Sequence, residues 1–164
     1  MLKKPIKIRL FQPKDAKTII QVHYNAVHKI ASKDYKPEIL NDWSPPFSFE
    51  RVKKFVENQS KGKEVTVVAE INRRIVGFGV IVPKENEVRA IYVSPQVKRK
   101  GIGSALLRKL EELAKEKGIK ELCLESSVTA EKFYQKNGYK VIKRGYFTLR
   151  TGRKMKSVKM RKLL

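Results

Sequence analysis

The chain has 164 residues, 41% hydrophobic and 33% charged, which suits one domain built on a single core. No run approaches the roughly 18 apolar residues of a membrane span, and Met1-Leu2-Lys3-Lys4-Pro5 lacks the apolar stretch of a secretory signal; the expectation is a cytoplasmic protein with no membrane partner. The net charge of +22 is uneven: Gly138 to Leu164 holds ten Lys or Arg and no acid, and Ser94 to Leu110 holds five and no acid. A one-sided excess of this kind attracts polyanions, whereas thermophile ion-pair networks mix both signs. Nucleic acid is therefore an open partner, although no nucleic-acid motif accompanies the charge.

In chain order, Ile6 to Phe11 alternates and reads as a strand. Pro13 and Asp15 open a helix to about Ser32, with Ile19, His23, Ala26 and Ile30 on one face. A short helix from about Pro37 to Trp43 precedes a Pro45-Pro46 break, and Ser48 can cap a helix from Phe49 to Ser60. Val65 to Ile71 and Ile75 to Val82 read as a hairpin turning at Asn72-Arg73-Arg74; Glu87 to Val93 follows a second turn and completes an antiparallel meander. A helix from Gly103 to Lys117 stops at Gly118. It leads to a strand, Glu121 to Glu125, parallel to its predecessor. A helix from Thr129 to Asn137 ends at Gly138, and Tyr139 to Leu149 with Val158 to Leu163 forms a final hairpin. The single cysteine, Cys123, makes no internal disulfide and reads as a small buried hydrophobe. His23 and His28 lie about 140° apart around their helix. With one distant cysteine they form no metal constellation, and no metal is expected.

The densest signal is Val93-Ser94-Pro95-Gln96-Val97-Lys98-Arg99-Lys100-Gly101-Ile102-Gly103-Ser104. A strand runs into a basic, glycine-bearing turn, and a helix starts at once. Backbone N–H groups freed by Gly101 and Gly103, together with the helix start, suit a phosphate or diphosphate. Lys98, Arg99 and Lys100 add mobile positive charge. A dinucleotide fingerprint needs a third glycine where Leu106 stands, and no Gly-Lys-Ser/Thr closes a Walker loop. A purely structural strand–turn–helix is the remaining alternative. The segment resembles the acetyl-CoA loop of the GNAT superfamily of N-acetyltransferases, Val-x-Pro-x-x-(Gln/Arg)-x-x-Gly-x-(Gly/Ala). Val93, Pro95, Gly101 and Gly103 match, and Lys98 stands where Gln or Arg is usual. Downstream, Ala130, Phe133, Tyr134, Gly138 and Tyr139 fit the family's Ala-x-x-Phe-Tyr-x-x-x-Gly-Phe/Tyr, with Ser127 in place of an Asn.

That resemblance implies a single GNAT domain over residues 1–164. Its fold is α/β: one mixed, mostly antiparallel sheet with a splayed parallel central strand pair and helices on both faces. It implies acetyl transfer from acetyl-CoA to a primary amine by direct attack, with homodimers frequent in the family. Ile91, Tyr92 and Val93 would pair with the pantetheine arm, Ser127 would lie beside it, and Arg99 to Ser104 would hold the diphosphate. Tyr134 would be the acid for the departing thiolate, its phenol of pKa near 10 being protonated at neutral pH; the alternative is that it only packs or binds the sulfur. Glu87 is the first choice of base, with Glu125, or no dedicated base, as alternatives. His23, Tyr35 and Trp43 fall where the family shapes its acceptor pocket, though each could equally be a packed core residue. A strongly basic protein repels polyamines and Lys-rich tails unless acids cluster locally, so a small neutral or anionic amine is favoured over a protein, with an amine on an RNA-bound protein as a further alternative. The rival reading is a CoA-sensing or RNA-associated module without turnover.

Overall fold

The computed structural model describes residues 5–97 and 99–164; Lys98 and the first four residues of the leader reading lie outside it. Four strands come first in the sheet: β1 (Lys7–Leu10), β2 (Val65–Ile71), β3 (Arg74–Val82) and β4 (Glu87–Val93). Three follow: β5 (Glu121–Ser127), β6 (Lys140–Thr148) and β7 (Lys154–Leu163). Their order is β1-β2-β3-β4-β5-β7-β6, and every neighbouring pair is antiparallel except β4 with β5. The helices are α1 (Ala16–Ile30), α2 (Pro37–Trp43), α3 (Phe49–Ser60), α4 (Ile102–Glu116) and α5 (Glu131–Lys136). Among the described residues no helix is long and apolar enough to cross a membrane.

Local chemistry accounts for most of these elements. Asn72 and Arg73 both take positive φ, as the tight β2–β3 hairpin turn requires. Ser48 caps α3, its Oγ accepting the Arg51 N–H at 3.3 Å. α4 buries Ile102, Leu106, Leu107, Leu110 and Ala114 at helical spacing against one face of the sheet, in one cluster with residues of β2, β3, β4, β5 and β7. α1 buries Ile19 and Val22 on the other face, against Val68, Phe78 and Val80. A third cluster, Val27, Ala31, Tyr35, Leu40, Leu149 and Met155, ties α1 and α2 to the β6–β7 turn. Buried Asp15 takes both guanidinium nitrogens of Arg9, at 2.7 and 3.0 Å, and Arg9 also holds Glu70.

The departures from the sequence reading are local. The first helix is preceded by a 3-10 turn, Pro13–Asp15, and α5 is two residues shorter at its start, because Ala130 N–H bonds back to Ser127. β7 begins at Lys154, four residues before the expected Val158; its first residues alternate Lys, Met, Lys, Ser and carry little apolar signal. β7 lies inside the sheet, leaving β6 as its edge. Cys123 is half-buried rather than buried, its Sγ 3.4 Å from the Asn86 carbonyl.

Two irregularities in β4 create the site. First, β4 and β5 share a single rung, Glu87 opposite Cys123, closed by Cys123 N–H donating to Asn86 O at 2.8 Å. Beyond it the strands part. Second, Ala90 faces Val80 while Val88 faces Ile81, so Arg89 is an extra residue with no partner on β3. The bulge reverses the alternation. Val88 packs with α4, then Ala90 and Tyr92 pack on the α1 side while Ile91 and Val93 return to α4.

Candidate active site

Between the parted strands lies a cavity of about 1160 Å³, walled by Ala90 to Val93, by Glu125 to Ser127, and by α1, α4 and α5. At one end the backbone does the work. Ser94 N–H donates to Val76 O at 2.7 Å, so Ser94 and Val76 are a hydrogen-bonded pair of the antiparallel ladder. Alternation then gives Tyr92 to Phe78 and turns the N–H and C=O groups of Ile91 and Val93 into the gap. The expectation that all three residues offer backbone is thus corrected for Tyr92, whose backbone belongs to β3 and whose side chain lines the cavity.

The chain leaves β4 through a 3-10 turn, Pro95–Val97, then takes left-handed conformations at Arg99 (φ 64°) and Gly101 (φ 74°). Such reversals gather N–H groups into an anion-binding concavity. α4 starts with no side-chain cap among the described residues, and its first-turn N–H groups lie beyond the reach of the intrahelical ladder. A Cβ on Gly103 would lie 3.0 Å from the Phe133 ring, so a side chain there would have to push α5 back from the α4 N-terminus. Arg99, Gly101, Ile102, Gly103 and Ser104 line the cavity; Lys100 is exposed and does not. Ser127 lines it too, its Oγ accepting Ala130 N–H at 3.2 Å, which leaves its own O–H to donate.

Tyr134 is buried at the wall of the same cavity, with Phe133 and Tyr139 edge-on to its ring. Its hydroxyl has no hydrogen-bond partner among the described residues. Burial, with Tyr92 nearby, pushes its pKa well above the usual phenol value, so it carries a proton at neutral pH.

The other end is made of side chains. Glu87 and Glu125 both line it, on one face of the sheet, since Glu87 is the rung partner of Cys123 and Glu125 lies two residues further on. Burial raises the Glu87 pKa against the pull of Arg89, whose Nε is 3.5 Å away, and Glu85 adds to the rise. Arg89 also holds Glu64 and Glu85, each at 2.9 Å. Glu125 is exposed and accepts the Ser157 hydroxyl. Two acids thus line the cavity, together with the cations Arg89, Arg99 and Lys136.

Of the three acceptor-side expectations, Trp43 alone lines the cavity; its Nε1 donates to Tyr92 Oη at 3.1 Å. Burial raises the Tyr92 phenol to about 12. His23 stands one layer back, its ring edge-on to Tyr92 at 4.4 Å. Burial, then Arg51 and His28, push it down to about 3, so it is neutral, and its Nδ1 accepts Ser44 Oγ at 3.2 Å and faces Arg51 Nη2 at 3.4 Å. His28 Nε2 meets the carbonyl of the same Ser44 at 2.8 Å, so two side chains that diverge around α1 converge on one buried residue. Tyr35 braces the scaffold: it donates to Lys156 O at 2.7 Å and accepts Val128 N–H at 2.8 Å. The Tyr92 side chain and Arg89 escaped sequence reasoning because their placement depends on the bulge. Phe147, Leu149 and Met155 escaped it because they arrive from the far hairpin.

The family model of the acetyltransferase (GNAT) domain matches residues 31–164. The N-acetyltransferase YafP of Escherichia coli K12 is 30% identical over 138 residues, covering 84% of this chain and 83% of its own length. A spermidine N(1)-acetyltransferase of Thermoplasma acidophilum is 29% identical, covering 83% of this chain and 89% of its own. A solved PaiA N-acetyltransferase of Thermoplasma acidophilum, in complex with coenzyme A, superposes with TM-score 0.77 at 26% identity over 98% of this chain and 99% of that one. The split sheet, the glycine turn and these matches agree: the chain belongs to the GNAT acetyltransferase family and is an N-acetyltransferase.

Proposed function

We propose that this enzyme moves the acetyl group of acetyl-CoA to the primary amine of a small, cationic acceptor. The observation that carries the reading is the parting of β4 and β5, which presents free backbone groups at Ile91 and Val93 on a path from the Gly101 turn to Tyr134. The residues present fit acetyl-CoA. Ile91 and Val93 would hold its pantetheine arm, with Ser127 beside it, and Arg99 with the N–H groups of Gly101 to Ser104 would hold its diphosphate, with Lys100 at the rim. When bound, it supplies an acetyl group activated as a thioester.

The chain's own groups divide the remaining work. Fixing the amine against the acyl carbon is the largest contribution, since direct attack requires no covalent enzyme intermediate. Glu87, made more basic by burial, takes the ammonium proton directly or through one water. A backbone N–H of β4 steadies charge on the carbonyl oxygen. Tyr134 Oη, held protonated and free of partners among the described residues, gives its proton to the thiolate sulfur, and the second proton shed by the acetylated nitrogen restores it. Glu87 and Glu125 offer a positively charged acceptor two anionic partners in a cavity that Arg89, Arg99 and Lys136 also line; those partners, and the spermidine acetyltransferase among the relatives, support an amine of the polyamine kind.

The test is release of CoA thiol from acetyl-CoA on addition of spermidine, an amino-acid amide or an amino sugar phosphate. Turnover is expected, fastest with spermidine. Fastest turnover on the anionic amine would overturn the acceptor class, and no thiol release with any amine despite calorimetric CoA binding would overturn catalysis.

A further inference from the structure

The β6–β7 end of the sheet carries charge that acetyl transfer does not use. In the ladder, Lys140 lies directly opposite Arg161 and Lys143 opposite Lys159. Lys140 and Lys143 are three residues apart and would face opposite ways in a regular strand. The register shift at Ile142 puts both on the face of Lys159 and Arg161. Like charges directly opposite destabilise a sheet, so this two-by-two grid is maintained against its own repulsion. All four side chains are exposed. Arg161 has Glu121 at 3.7 Å, whereas Lys140, Lys143 and Lys159 have no ion-pair partner among the described residues. Glu125, cross-strand from Lys159, is engaged with Ser157.

The same face continues to Phe147, opposite Met155 and 46% exposed, about 13 Å along β6 from Lys143. Ile142, 50% exposed, stands at the bulge. Cations in a grid flanked by an exposed aromatic ring fit a sugar–phosphate backbone with a base stacked on the ring, the mode by which single strands are bound without sequence preference. We propose that this face of the β6–β7 hairpin binds single-stranded nucleic acid, the strand running from the lysine grid toward Phe147 at the rim of the cavity. The proposal does not depend on acetyl transfer.

The probes are labelled RNA and DNA strands of one mixed sequence, roughly 12 nucleotides long, read by fluorescence anisotropy across a salt series. Lys140→Gln/Lys143→Gln/Lys159→Gln should weaken binding about tenfold near 100 mM salt and lower the salt slope by about 2. Its CoA affinity should be unchanged, and its denaturation midpoint no lower than the parent's. A matched triple elsewhere, Lys54→Gln/Lys61→Gln/Lys115→Gln, should change affinity less than about twofold. Whichever strand binds tighter identifies the nucleic acid. Equal weakening by both triples would overturn the site in favour of diffuse charge. Displacement by polyglutamate as effective as by unlabelled RNA at equal charge would overturn it in favour of an acidic protein. A readout without variants is lysine acylation: bound RNA should shield Lys140, Lys143 and Lys159 more than Lys54, Lys61 and Lys115, and equal shielding would sink the proposal.

Discussion

The two ends of the cavity are built by opposite means. The end proposed for the cofactor rests on main chain: the outward groups of Ile91 and Val93, the left-handed Arg99 and Gly101, and the uncapped start of α4. The end proposed for the acceptor rests on side chains from three separate segments: Trp43 of α2, Glu87 and Tyr92 of β4, and Glu125 of β5. Main-chain sites constrain sequence only where a side chain would intrude. Side-chain sites can be rewritten by single substitutions. On the proposed assignment, cofactor choice rests on backbone shape, while acceptor choice is open to change on the same scaffold.

Substitutions can break that division, and the largest effect belongs to the group at its border. Tyr134→Phe should lower kcat about 100-fold, in the range of lost general-acid catalysis, with acetyl-CoA affinity nearly unchanged; an undiminished kcat would reduce Tyr134 to packing. Glu87→Gln should lower kcat about tenfold at neutral pH. In the parent, kcat/KM should fall on the acid side at a pKa above 4.5, because burial makes the folded carboxylate harder to ionise. The base works only as carboxylate, so activity rises with pH through that value, and the variant should lose this limb. Gly103→Val should raise the acetyl-CoA Kd about tenfold, near 1.4 kcal/mol, by forcing Phe133 away, and should leave acceptor preference intact. Trp43→Phe removes one hydrogen bond to Tyr92. At about 1 kcal/mol it should raise the acceptor KM several-fold while sparing the acetyl-CoA KM.

The same division explains what could be read in advance. The meander, the parallel return through α4 and the diphosphate turn follow from local pattern, because glycine positions and apolar periodicity act over a few residues. The acceptor end follows from register. Read straight through, Val88, Ala90 and Tyr92 share a face; the extra residue at Arg89 separates them and sends Tyr92 toward Trp43 and His23. Nothing in the sequence around Arg89 announces the bulge. Tyr35 lies in the region expected to shape the pocket, yet its hydroxyl is committed to Lys156 and Val128, residues more than 90 positions away. Ser44 draws no attention as a serine before two prolines, although both histidines of α1 meet on it.

The lone rung between Glu87 and Cys123 leaves the four-strand and three-strand parts of the sheet nearly unstitched. Their splint is α4, whose Leu106, Leu107 and Leu110 share one apolar cluster with Val67 and Ile81 on one part and Leu122 and Met160 on the other. The helix whose first turn is proposed to hold the diphosphate thus also sets the width of the crevice with its later turns. Damage deep in its packing, far from any ligand, should be felt first as loosened hold on the cofactor.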